Sequence, residues 1–199
     1  MNVLLIDNSS DTFRELQTVV AGAGHSLTSI THREIPLYPA DAYDLVILSG
    51  GWWYDDETQL LAEYGEELEL IRTCPVPLLG ICIGMQLMHV ALDRAVPLLD
   101  APQSGPKDIT ATESGIRHGL PPRMRVHKNH TRGIIEADPL FDVLATSPGH
   151  IEIMQHRERP MLGVQFHPEV GYMEECVSQL GMLLGLIIFE TSEQKQGVL

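Results

Sequence analysis

Pro77-Leu78-Leu79-Gly80-Ile81-Cys82-Ile83-Gly84 runs from a short apolar segment, through small residues around a cysteine, into a predicted helix that begins near Gly84. The segment Pro77–Ile81 is continuously apolar rather than alternating, which is the pattern of a parallel strand covered on both faces. A strand that passes directly into a helix through a tight turn holds the residue at the bend with its side chain pointing outward. Cys82 occupies that bend and is a candidate nucleophile.

Val3–Ile6 and Leu45–Leu48 repeat the same continuous apolar pattern. Between these runs, Phe13, Leu16, Val19 and Val20 keep helical spacing, as do Leu60, Tyr64, Leu68 and Ile71. Thr12 and Glu15 are spaced as a capping box for the first of these helices. Alternation of strand and helix predicts an α/β fold, an open and mostly parallel sheet with helices on both faces and right-handed crossovers. After the Cys82 helix the pattern changes to short runs separated by turn residues, in Ala101–Pro106, at Pro121-Pro122 and at Ser147-Pro148-Gly149. The runs 109–112, 124–127, 142–146, 151–155 and 161–166 then read as an antiparallel extension. Sites in open α/β sheets lie at the carboxyl ends of the strands. Ser49-Gly50-Gly51, the Cys82 turn and a segment around His167 all fall at such ends.

The length of 199 residues suits one domain, placed at 1–190, followed by a frayed tail at 191–199. Asp plus Glu number 27 against 13 Lys plus Arg, and a net charge of -14 argues against general nucleic-acid binding. Acids crowd the segment from Asp55 to Glu69, which includes Glu67, whereas Arg117, Arg123, Arg125, Lys128 and Arg132 share a stretch without acids. Ordinary solvated faces explain both clusters, with a docking surface as the alternative. Cys74, Cys82 and Cys176 cannot all pair and show no disulfide or metal-knuckle spacing, which fits a reducing cytoplasm. Met1–Asp7 reads as a first strand rather than a leader, and the apolar stretch ending at Phe189 is too short for a membrane span and reads as a buried helix.

A cysteine nucleophile needs a histidine or a helix N-terminus to favour its thiolate. In Val164-Gln165-Phe166-His167-Pro168-Glu169, His167 follows an apolar strand end and Glu169 is placed to orient its ring, which is the logic of a catalytic triad. The N–H of Ile83 and the backbone at Gly50-Gly51 are candidate oxyanion donors, and the reaction class is acyl transfer through a thioester. Each piece also has a plainer explanation: a lone cysteine is often a small buried residue, and a glycine pair is often a turn. The nine histidines, His127 and His130 among them, show no metal-ligand spacing, so neither metal nor cofactor is expected.

These two motifs resemble those of the class I, or triad-type, glutamine amidotransferases. Leu79–Gln86 resembles that family's nucleophile segment, Gly163–Glu169 its histidine and glutamate segment, and Ser49–Gly51 its oxyanion loop. The resemblance implies a flavodoxin-like core and a glutaminase, with Cys82, His167 and Glu169 catalytic and Gly51 and Ile83 forming the oxyanion hole. It further implies that Gly50, Gln86, His130 and Thr131 bind L-glutamine, and that ammonia passes to a separate synthase subunit. Val170 and the run Ile151–His156 resemble the GMP synthase amidotransferase subunit, whereas Asn129-His130 is more similar to the carbamoyl-phosphate synthetase small subunit. Trp52-Trp53-Tyr54 stands where the family usually has a proline and small residues, and Arg94–Leu98 replaces a usual glycine pair, as in a divergent member. Two further readings share the scaffold, a stand-alone γ-glutamyl hydrolase and a non-catalytic regulatory or binding subunit.

Overall fold

The computed structural model describes the backbone of residues 1–196 and the side chains of residues 1–187 apart from Glu57. In chain order its elements are β1 (Asn2–Asn8), α1 (Phe13–Gly22), β2 (Ser26–Thr31), β3 (Leu45–Gly51), α2 (Glu57–Thr73), β4 (Leu78–Ile81) and α3 (Ile83–Val90). There follow β5 (Leu98–Ala111), α4 (Glu113–Arg117), β6 (Arg123–Arg132), β7 (Phe141–Ser147), β8 (His150–His156), β9 (Met161–Val164) and α5 (Met173–Gln196). One nine-stranded sheet takes the order β2-β1-β3-β4-β9-β8-β7-β5-β6. The first five strands are parallel and the rest antiparallel, so the mixed sheet and its helices match the predicted class.

Alternate residues of the central strands feed two cores. Val3 and Leu5 of β1 pack with α1 and α5 on one face, while Leu4 and Ile6 pack with α2 and α3 on the other. Burial on both faces is why these strands carry unbroken apolar runs. Around the Cys82 turn the backbones touch. A Cβ on Gly80 would lie 2.6 Å from the Gly84 carbonyl carbon, and one on Gly84 would lie 2.7 Å from the Leu48 carbonyl oxygen. Glycine at both positions lets α3 sit directly against β3 and β4.

Several expectations need correction. Thr12 stands at the N-cap of α1 but makes no capping hydrogen bond, because its hydroxyl is used elsewhere. Ala101–Pro106 is not a turn but part of β5, which pairs with β6 over most of its length and with β7 only at Thr110 and Ala111. A strand with one free side tolerates proline. β2 escaped notice because only Ile30 of its six residues is buried. Residues 191–196 of the expected tail continue α5, as their Glu, Gln and Lys content favours, and 197–199 lie outside the described residues. Glu67 and Lys128, counted among solvated charges, are buried. Among the described residues no helix is long and apolar enough to cross a membrane.

The glycine contacts separate two kinds of position. Gly84→Ala is expected to lower stability by about 1–3 kcal/mol through backbone overpacking. Gly65→Ala, on an exposed position of α2 with nothing within 4 Å of its added methyl, is expected to raise it by about 0.5–1 kcal/mol. Urea denaturation of both variants checks the pair, and equal effects would remove the distinction.

Candidate active site

Cys82 joins β4 to α3 with φ 52° and ψ -104°, a positive-φ conformation that a side-chain-bearing residue adopts only under constraint. The constraint is visible on both sides of the residue. Its N–H donates to the Val164 carbonyl of β9 at 2.8 Å, and its own carbonyl accepts from the Gln86 N–H at 3.1 Å. Ile83, as the first residue of α3, has an N–H with no partner inside the helix. The Cys82 N–H is already engaged, which leaves the Ile83 N–H, next in the chain, as a candidate donor. Sγ lies 3.9 Å from the Asn129 carbonyl oxygen and 3.7 Å from Gln165 Nε2.

His167 follows β9 and is anchored by its own N–H, which donates to the His127 carbonyl of β6 at 2.8 Å. This bond spans from the middle of the sheet to its last strand, so the sheet curls until the outer edge of β6 meets the ends of β4 and β9. Nδ1 of His167 pairs with Glu169 Oε1 at 2.7 Å, which also accepts from the Thr12 hydroxyl at 2.7 Å. Nδ1 therefore carries a proton and Nε2 is the nitrogen left for chemistry. Burial alone would disfavour the charged ring. The adjoining Cys82 sulfur and the Glu169 carboxylate outweigh it and raise the His167 pKa to about 10.

The glycine pair lies against both groups. A Cβ on Gly50 would stand 2.8 Å from His167 Cε1 and 3.6 Å from Cys82 Cβ, so a side chain there would displace the imidazole. Gly51 lines a cavity of about 330 Å³ together with Cys82, Gln86, His130, Thr131 and His167. The structure thus gathers Cys82, His167, Glu169, Gly50, Gly51, Ile83, Gln86, His130 and Thr131 around one place. Gln86 donates both amide hydrogens, to the Arg132 carbonyl and to Gln165 Oε1, each at 3.0 Å.

Trp52 and Trp53 form one wall of the cavity. The Tyr64 hydroxyl of α2 holds the Trp52 carbonyl at 2.7 Å. Arg132 stacks over Trp53 with its guanidinium 5.1 Å from the ring centroid, and donates to Asp55 at 2.7 Å. The aromatic pair thus replaces small residues by a wall that the acidic and basic segments jointly secure.

Behind β6 lies a buried polar cluster. Lys128 Nζ donates to Glu152 and to the Ser147 hydroxyl, and lies 3.4 Å from His150 Nε2. Burial opposes ionisation of Glu152, but hydrogen bonds from His150 and Lys128 hold its pKa below the ordinary value. His130, His150 and Glu152 offer donor atoms within 4.8 Å of one another, in space shared with the Lys128 ammonium. His130 donates from Nδ1 to the Arg132 carbonyl at 2.8 Å, and burial lowers its pKa to about 4. Its ring is neutral, with Nε2 buried and unpartnered among the described residues.

A family model described as glutamine amidotransferase class-I matches residues 4–177. The chain belongs to that family. The glutamine-hydrolyzing GMP synthase of Tropheryma whipplei is 38% identical over 104 residues, which are 52% of this chain and 21% of that protein. A glutamine-hydrolyzing GMP synthase subunit from Methanothermobacter thermautotrophicus is 37% identical over 117 residues, 58% of this chain and 63% of the relative. The match therefore spans about a fifth of the first relative and under two thirds of the second. A Thermoplasma acidophilum structure assigned as a GMP synthase subunit shares the fold with a TM-score of 0.80 at 24% identity, covering 98% of both chains. A glutamine amidotransferase from Thermotoga maritima gives 0.71 at 22% identity, covering all of this chain and 92% of that one.

Sequence reasoning missed Thr12, Asn129, Gln165 and Arg132. Thr12 stands 157 residues from the glutamate it holds, and no local pattern signals such a bond.

A raised pKa carries a stability signature. The charged His167 ring stabilises the fold in full below its ordinary pKa of 6.5, and this contribution is lost as pH rises through about 10. The stability gap between the wild type and Glu169→Gln is therefore expected to be widest near pH 6 and to close above about pH 10. Urea titrations across that range check it, and a gap independent of pH would show that Glu169 does not act through the charge of His167.

Proposed function

We propose that the chain is a glutaminase, hydrolysing L-glutamine to glutamate and ammonia through a thioester on Cys82, and that the ammonia passes to a separate synthase subunit. The observation that carries this reading is the placement of the strained Cys82 turn beside the Thr12–Glu169–His167 hydrogen-bond chain, with Gly50 against both.

Sγ attacks the side-chain amide carbon with the thiol's proton already resting on Nε2 of the charged His167 ring. The carbonyl oxygen takes negative charge and is held by the N–H groups of Ile83 and Gly51, fixed before the reaction begins. His167 then gives its proton to the departing nitrogen, the C–N bond breaks, and ammonia leaves. Water, deprotonated by the same Nε2, attacks the thioester; the C–S bond breaks, and glutamate and the free thiol result. Glu169 stabilises the imidazolium in each half and accepts no proton itself.

Substrate is held along β6. Among the described residues this strand is paired on its β5 side only, so its outer edge offers backbone at Thr131 beside the His130 wall. These groups suit the α-amino and α-carboxylate groups, and Oε1 of Gln86 is a further acceptor for the amine. Gly50 keeps the space between substrate and imidazole open. The partner reading draws on the relatives named as glutamine-hydrolyzing subunits of GMP synthase, which point to a GMP-synthase-type acceptor.

A diazoketone analogue of glutamine is expected to alkylate Cys82 alone, mapped by peptide mass spectrometry. Cys82→Ser is expected to lose at least about a thousandfold in kcat while keeping its melting temperature. Hydrolysis by that variant within tenfold of wild type would overturn the assignment of the nucleophile.

A further inference from the structure

Behind the glycine pair, three polar side chains are closed off from solvent: Asn8 at the end of β1, Ser49 in β3 and Glu67 on α2. The Ser49 hydroxyl accepts from the Asn8 N–H at 2.9 Å and donates to the Gly50 carbonyl at 2.8 Å. Asn8 Nδ2 donates to the Ser49 carbonyl at 3.2 Å and to Glu67 Oε1 at 3.0 Å. The carbonyls of both peptides that enter the glycine pair are thereby pinned. Carbonyl and N–H point in opposite directions in a trans peptide, so fixing the Gly50 carbonyl fixes the direction of the Gly51 N–H.

Packing leaves this arrangement little freedom. A Cβ on Gly51 would lie 2.1 Å from the Asn8 carbonyl oxygen, so the two backbones are in direct contact. On the far side of the pair, the Tyr64 hydroxyl holds the Trp52 carbonyl. Tyr64 and Glu67 lie on one face of α2, three residues apart, so a single helix braces the loop before and after the glycines.

Glu67 is a costly residue for such a place. Burial lifts its carboxyl to about 8, against the Asn8 hydrogen bond, and its Oε2 has no partner among the described residues. An apolar side chain would avoid the desolvation but would leave Asn8 Nδ2 without its second acceptor.

We infer that Asn8, Ser49 and Glu67 are positioning residues that orient the Gly50–Gly51 peptide as an oxyanion donor. Only the effect on rate rests on the glutaminase reading; the orientation of the peptide does not.

The test uses the full chain with ¹⁵N-glycine and compares wild type, Ser49→Ala, Glu67→Met and Glu67→Gln. Its readouts are the Gly51 amide signal and its hydrogen exchange, kcat and KM for glutamine, and the rate of Cys82 alkylation by iodoacetamide. Ser49→Ala and Glu67→Met are expected to shift the Gly51 amide and speed its exchange. They are also expected to lower kcat by about 10- to 100-fold, with KM within about twofold and Cys82 alkylation unchanged. Glu67→Gln keeps the acceptor for Asn8 and is expected to retain at least about half of the wild-type kcat. A Gly51 amide that is unmoved in Ser49→Ala overturns the inference, as does a freed amide with unchanged kcat. Should Glu67→Met fail to fold, Ser49→Ala decides alone, because it removes one oxygen and creates no large void. A wild type that neither hydrolyses glutamine nor reacts with its diazoketone analogue would defeat the glutaminase reading, while the Gly51 amide still decides the positioning.

Discussion

The positive-φ backbone at Cys82 is the constraint on which the rest of the site depends. A conformation of that kind costs on the order of 1–3 kcal/mol and persists only when its surroundings over-determine it. Here β9 holds the Cys82 N–H, α3 holds its carbonyl, and the bare glycines Gly80 and Gly84 let strand and helix close from either side. The sulfur consequently sits at a fixed point beside the start of a helix. Every other group in the site is then a matter of bringing a partner to that point.

Three strand ends and one strand edge do so. β3 brings the glycine pair, β9 leads into the histidine, and β1 leads into Thr12, which holds the glutamate. The curled sheet supplies β6, whose outer carbonyls at His127 and Asn129 face His167 and Cys82. An exposed strand edge is usually a liability because its unpaired backbone invites other chains. In this fold part of that edge is spent on fixing the histidine, and the remainder lines the cavity.

Much of this was legible in the sequence, and the division between what was and what was not has a physical cause. Apolar runs at 3–6, 45–48 and 78–81 are continuous because both faces of those strands are buried, and that pattern survives any change of topology. Cys82, His167 and Glu169 lie in segments whose local backbone geometry is part of the chemistry, so neighbours in sequence reveal them. Thr12, Ser49 and Glu67 act through bonds to distant residues and look locally like a helix cap, a turn residue and a solvated acid. Charge counting misread Glu67 and Lys128 for the same reason: a helix or strand face is set by tertiary packing, and each of these residues falls on the inner one.

His130 and His167, which line the same cavity, show how far the surroundings, rather than the residue type, determine its electrostatics. Both His130 and His167 are buried, and burial pushes each towards the neutral form. His167 has the Cys82 sulfur on one side and the Glu169 carboxylate on the other, so its charged form prevails. His130 has the Arg132 carbonyl on Nδ1, and the pull of Glu152 is opposed by His150 and Lys128, so burial prevails. Near neutral pH His167 therefore carries an imidazolium beside Cys82, and His130 a neutral imidazole. The neutral ring donates its single proton to the Arg132 carbonyl at 2.8 Å, which ties the side chain back to its own strand. Lys128 and His150 both oppose the pull of Glu152 on that ring, but burial is the larger cause of its neutrality.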